Sequence, residues 1–114
     1  MQEGSYLANI LGTSYNIIVK PIDEDYGDGY CDCTNREIVI RSNNVNEVGD
    51  FSALQRKALR HELIHAFLSE SGLQSNFQHY TEFGHDETMV DWFAIQWNKI
   101  NSIFAKFGLL EEIK

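Results

Sequence analysis

Residues 50–72, DFSALQRKALRHELIHAFLSESG, decide the fold. The stretch has a helical period. Asp50 or Ser52 can cap its start and Gly72 can stop it, which predicts a helix of about twenty residues. The first half is amphipathic. Beyond His61 the pattern turns apolar on nearly every side, through Leu63, Ile64, Ala66, Phe67 and Leu68, as expected of a central helix packed on a sheet and on a second helix.

Upstream of this helix the chain reads as strands. Tyr6 to Leu11 and Tyr15 to Lys20 flank a Gly12-Thr13 turn and predict a hairpin, whose second arm carries β-branched Ile17, Ile18 and Val19 and is stopped by Pro21. Gly29 to Cys33 and Glu37 to Arg41, joined through Thr34-Asn35, predict a second pair, with Ile38 and Ile40 on one face and Val39 on the other. The polar run Ser42 to Asp50 ends the sheet. Downstream, residues 73–85 read as a polar loop bearing histidines and aromatics. A last helix is expected from about Asp86 to Phe107, with Met89, Phe93, Ile100, Phe104 and Phe107 on its core face and Gly108 near its end. Phe104, Phe107, Leu109 and Leu110 read as a terminal core cluster. The expected class is therefore α+β in a single domain, residues 1–114: a small antiparallel or mixed sheet over residues 1–50, packed on a central helix and a C-terminal helix.

Composition narrows the function. The 114 residues include 9 Lys+Arg against 17 Asp+Glu, and a formal net charge of −8 argues against non-specific binding to nucleic acid or to an anionic membrane. A hydrophobic content of 43% and one proline exclude compositional disorder. No stretch approaches the roughly 18 to 20 apolar residues of a membrane span, and Met1 to Ser5 lacks the features of a signal peptide. Cys31 and Cys33 are one residue apart, a spacing that strains an intramolecular disulfide, and no second pair builds a secreted scaffold. These features predict a cytoplasmic protein without nucleic-acid or membrane partners. As a C-x-C pair the two thiols are an incomplete structural zinc site, and their place on one side of a strand suggests packing. The segment Asp23 to Asp32 holds five acids but lacks the spacing of an EF-hand, and reads as a solvated acidic turn.

The chemistry concentrates in His61-Glu62-Leu63-Ile64-His65, the spacing H-E-x-x-H. Histidines four apart share one helix face, so both rings can converge on one cation at zinc–nitrogen distances of about 2.0 to 2.1 Å. Glu62, turned about 100° from His61, can reach a water at the metal without occupying the metal, and is the candidate catalytic base. The pattern arises by accident on the order of once in a hundred such chains, so its place on a helix matters. A catalytic zinc also needs a third protein ligand and an open position. A metzincin would carry glycine at 68 and histidine at 71, whereas Leu68 and Ser71 stand there. The downstream donors are His79, Glu82, His85, Asp86, Glu87 and Asp91. Glu87 is favoured as the ligand, because it opens the last helix and Asp91 follows one turn later to receive a ring N–H from a ligand histidine. His85 and then His79 are the alternatives. Tyr80, His79 and His85 are candidates for stabilising an oxyanion or donating a proton.

His61 to His65 together with Glu87-Thr-Met-Val-Asp-Trp-Phe-Ala94 resemble the gluzincin arrangement, H-E-x-x-H on one helix and E-x-x-x-D on a second. More narrowly they are similar to the ImmA/IrrE-type metallopeptidases of phages, mobile elements and bacterial stress regulators, in which a Glu-led stretch ends in Phe-Ala as at Phe93-Ala94. The resemblance implies a minimal zincin fold, with His61, His65 and Glu87 as ligands to Zn²⁺ and Glu62 as base. It also implies that Glu37 to Arg41 is the edge strand along which extended substrate binds. The function it implies is hydrolysis of peptide bonds in a narrow intracellular protein substrate such as a repressor or regulator. The alternative is a metal-stabilised protein-binding module that does not cut its partner. An intact Glu62 favours the enzyme, and the small size favours the module.

Overall fold

The computed structural model of the chain describes residues 1–71 and 87–110. Along it lie β1 (Gly4–Ile10), β2 (Thr13–Lys20), a 3-10 turn at Glu24–Tyr26, β3 (Gly29–Asp32), β4 (Glu37–Arg41), α1 (Phe51–Glu70) and α2 (Glu87–Lys106). The strands form a mixed sheet in the order β1-β2-β4-β3. β1 runs antiparallel to β2, β2 parallel to β4, and β4 antiparallel to β3. The fold is thus α+β, as the sequence pattern predicts, and no described helix is long and apolar enough to cross a membrane.

The first hairpin turns one residue earlier than the pattern suggests. Thr13 already pairs with Ile10, and the two-residue connection is Leu11-Gly12, with φ of 52° and 93°. Tight hairpin turns of the primed kind need positive φ, a conformation that costs glycine little. Asn9 helps by accepting the Gly12 N–H through Oδ1 at 2.7 Å.

β4 is an interior strand, which corrects the expectation that Glu37–Arg41 lies at an edge. Ile38, Val39 and Ile40 are all buried, so both faces of β4 are covered, and a strand apolar on both faces belongs inside a sheet. The edge beyond it is β3, a short strand of four residues.

Asp50 caps α1, its Oδ1 accepting the Ala53 N–H at 3.0 Å. The helix ends at Glu70 with Ser71 as its C-cap; Gly72 and the expected loop 73–85 lie outside the described residues. One face of α1 lies on the sheet, with Leu59, Leu63, Ala66 and Phe67 joining Ala8, Ile10, Tyr15, Ile17, Val19, Ile38 and Ile40 in the core. α2 adds Trp92, Ile100 and Phe104. Phe93 and Phe107 pack against the core, but Met89 is 39% exposed and is not a core residue. Trp92, three positions on, takes the buried role, and its indole N–H donates to Ser71 Oγ at 2.7 Å, tying α2 to the end of α1. α2 closes with Gly108 at φ 64°, where Gly108 N–H reaches Ala105 O and Leu109 N–H reaches Phe104 O. This pairing is a Schellman cap and it folds Leu109 into the core, while Leu110 stays exposed.

Arg41, at the end of β4, is buried. Its guanidinium donates to the carbonyls of Ile22, Asp23 and Gly27 at 2.6 to 2.8 Å and to Asn43 Oδ1 at 3.5 Å. One side chain thereby holds the acidic segment 22–28 against the sheet while its carboxylates stay in water. The Asp32 carboxylate organises the β3–β4 turn by accepting Asn35 and Thr34 N–H groups at 3.1 Å and the Asn35 amide at 2.8 Å.

Two outcomes follow. Arg41→Ala leaves buried carbonyls unpaired and lowers unfolding stability by about 3 kcal/mol, read by urea denaturation at neutral pH. Asp32 has its carboxyl held below the ordinary value, first by the Asn35 N–H and then by the Asn35 amide. A depressed pKa gives stability that is present above the unfolded value of about 3.9 and is lost as pH falls through the folded one. The urea midpoint of Asp32→Ala therefore lies below that of the parent at pH 7, and the gap narrows as pH drops below about 4.

Candidate metal centre

The rotation of α1 on the sheet sets the site. Leu63 stands about 200° around the helix from both His61 and His65, and burying Leu63 turns both imidazoles outward. Glu62 falls between the two faces and is 8% exposed. Both rings are exposed, so neither histidine is a core residue.

His61 Nε2 and His65 Nε2 lie 3.2 Å apart, with ring centroids 4.9 Å apart and planes at 69°. Two nitrogens bound to one tetrahedral zinc are separated by about 3.3 Å, so the rings already hold the spacing that such an ion needs. At this distance either one ring donates its hydrogen to the other or both lone pairs face a cation. A Glu62 carboxylate oxygen completes a cluster in which the donor atoms of all three residues lie within 4.8 Å of one another. The donor set of two imidazoles and a carboxylate suits zinc among other divalent transition metals. His61, Glu62 and His65 thus form a group able to hold a metal ion.

No family model, curated protein or solved structure matches the chain. The likeness read from the two helices rests on its residues alone.

Burial pushes the Glu62 carboxyl above its usual value, while His61 and His65 pull it back. A carboxyl raised in this way is a stronger base than a free one, as a group that accepts and returns a proton requires. Glu62 and His61 line a cleft of about 220 Å³ together with Asp28, Gly29, Leu54, Lys57 and Ala58. The cleft lies between α1 and the start of β3. Gly29 is required there, because a Cβ would sit 2.6 Å from the Val39 carbonyl oxygen and 3.0 Å from Ile40 Cδ1. Arg41 N–H donates to the Asp28 carbonyl, so the alternating ladder directs the peptide groups of Tyr30 toward β4 and those of Gly29 and Cys31 toward the open edge.

The expected third ligand is only partly visible. Glu87 is the first residue of α2, and Asp91 follows in the same helix, but their side chains are outside the described set. His79, Tyr80, Glu82, His85 and Asp86 also lie outside the described residues. Sequence reasoning missed Gly29, Lys57 and Asp28 as cleft residues, since nothing local marks which loop meets which helix. The β4 edge assignment could have been avoided, because three successive buried β-branched residues signal an interior strand.

The sign of the Glu62 shift gives a testable result in metal-free protein. A raised folded pKa contributes stability that is present below the unfolded value of about 4.3 and is lost as pH rises through the folded one. Glu62→Gln, neutral throughout, therefore has a higher urea midpoint than the parent at pH 7, and the difference closes below about pH 4.

Proposed function

We propose that the chain is a zinc-dependent metallopeptidase of narrow specificity, acting on an intracellular protein such as a repressor or regulator. The observation that carries this reading is the 3.2 Å approach of His61 and His65 Nε2 beside a largely buried Glu62. Glu87 is the proposed third ligand and Asp91 the proposed hydrogen-bond partner of a ligand histidine. Bound zinc supplies a charge that polarises a carbonyl and acidifies water toward a pKa of about 7. Glu62 takes the proton of the attacking water and returns it to the leaving amine. The outward N–H and C=O groups of Gly29 and Cys31 can pair with an extended peptide along β3, which lays that peptide beside the cleft at Glu62. A formal charge of −8 favours a basic target. Tyr80, His79 and His85 remain the proposed oxyanion or proton-donor candidates.

The test starts with metal analysis of purified protein dialysed against zinc, and continues with a proteome-derived peptide library whose new termini are identified by mass spectrometry. One zinc per chain is expected. His61→Ala and His65→Ala lose it, whereas Glu62→Gln keeps it and lowers cleavage by about 10²-fold or more. Zinc retained without Glu62-dependent cleavage would identify the non-catalytic, metal-stabilised binding module. Failure to bind any transition metal overturns both readings.

A further inference from the structure

Cys31 lies in β3, the edge strand of the cleft, and Cys33 opens the turn that follows it. Their sulfurs are 3.5 Å apart and in contact as an S–H···S pair. A disulfide needs about 2.05 Å, so closure asks for a movement of about 1.5 Å between atoms that already face each other. Both residues are half-buried, and the thiols are free. Cys31 packs against the core on the side of the sheet that faces α1, opposite Ile38. We infer that Cys31 and Cys33 form a reversible dithiol–disulfide couple that exchanges with small-molecule disulfides.

The order of steps follows from the surroundings. Burial pushes the Cys31 thiol up, the Cys33 contact adds to this, and the nearby carboxylates of Glu62 and Asp32 oppose a charge there. Cys33 is therefore the entering nucleophile, and the Cys31 S–H can donate to its thiolate. The Cys33 thiolate attacks one sulfur of a small disulfide, forming a mixed disulfide and releasing one small thiolate. Cys31, on losing its proton, attacks the Cys33 sulfur and expels the second. The protein loses two electrons and two protons, and the small disulfide becomes two thiols. A ring closed across one intervening residue is strained, and strained disulfides are the readily reduced ones, which makes the couple reversible.

The experiment equilibrates the metal-free full chain in reduced and oxidised glutathione buffers, traps free thiols by alkylation, and measures intact mass. The expected oxidised product is a monomer lighter by two hydrogens, carrying no glutathione, formed to the same extent after tenfold dilution of protein, and returned to dithiol by excess reduced glutathione. Cys31→Ser retains one glutathione on Cys33 instead, because no resolving thiol remains, and Cys33→Ser, which lacks the entering thiolate, takes up glutathione more slowly and closes no intrachain disulfide. Persistent glutathione adducts on the parent chain, disulfide-linked dimers, or two unreacted thiols in the most oxidising buffer would each overturn the inference.

Discussion

Glu70, in the last turn of α1, accepts hydrogen bonds from Thr13 Oγ1 at 2.9 Å and Tyr15 Oη at 2.7 Å. About four turns earlier on the same helix, Gln55 donates through Nε2 to the Arg41 carbonyl at 2.9 Å. Between these two polar anchors Leu59, Leu63, Ala66 and Phe67 lie almost wholly buried on the sheet. The helix is therefore fixed in rotation by apolar contact and along its length by hydrogen bonds at either end. With the seam so defined, His61 and His65 face outward together and Glu62 is held at the boundary between core and cleft.

The sheet contributes the opposite wall. β4, apolar on both faces, takes the interior position, and its hairpin partner β3 is left at the edge with Gly29 and Asp28 against α1. Arg41 links these features. Its carbonyl accepts from Gln55 of α1, its N–H donates to Asp28, and its guanidinium gathers the carbonyls of the acidic segment. Asp23, Glu24, Asp25 and Asp28 can thus follow one another in a short exposed segment, because the backbone of that segment is held by a buried cation. The cleft, the open edge of β3 and the Cys31–Cys33 pair all occupy the same border of the sheet, so the chemistry proposed for each concerns one small region.

Much of the fold was legible because it rests on short-range rules. Both hairpins, the Asp50 cap, the extent of α1 and the apolar stripe of α2 follow from spacing, capping and β-propensity. The differences arise where those rules meet competing partners. Met89 has the period of a core residue, but Trp92 offers a larger apolar surface and an N–H that finds Ser71, and it is Trp92 that the core takes. The first turn moved to Leu11-Gly12 because strand pairing begins at Thr13. Arg41 gave no local signal of its role, since its carbonyl partners are backbone atoms that any sequence would supply.

The sequence by itself determined that a histidine pair and a glutamate share one helix, because four residues make just over one helical turn wherever that helix packs. It also determined that two strand pairs precede that helix, since local pairing and turn chemistry act over a few residues. The tertiary structure decided which strand lies at the edge, which side of α1 meets water, how closely the two imidazoles approach, and which groups wall the cleft. Those outcomes depend on burying Leu63 and β4 together and on contacts between residues tens of positions apart, and no spacing along the chain encodes them.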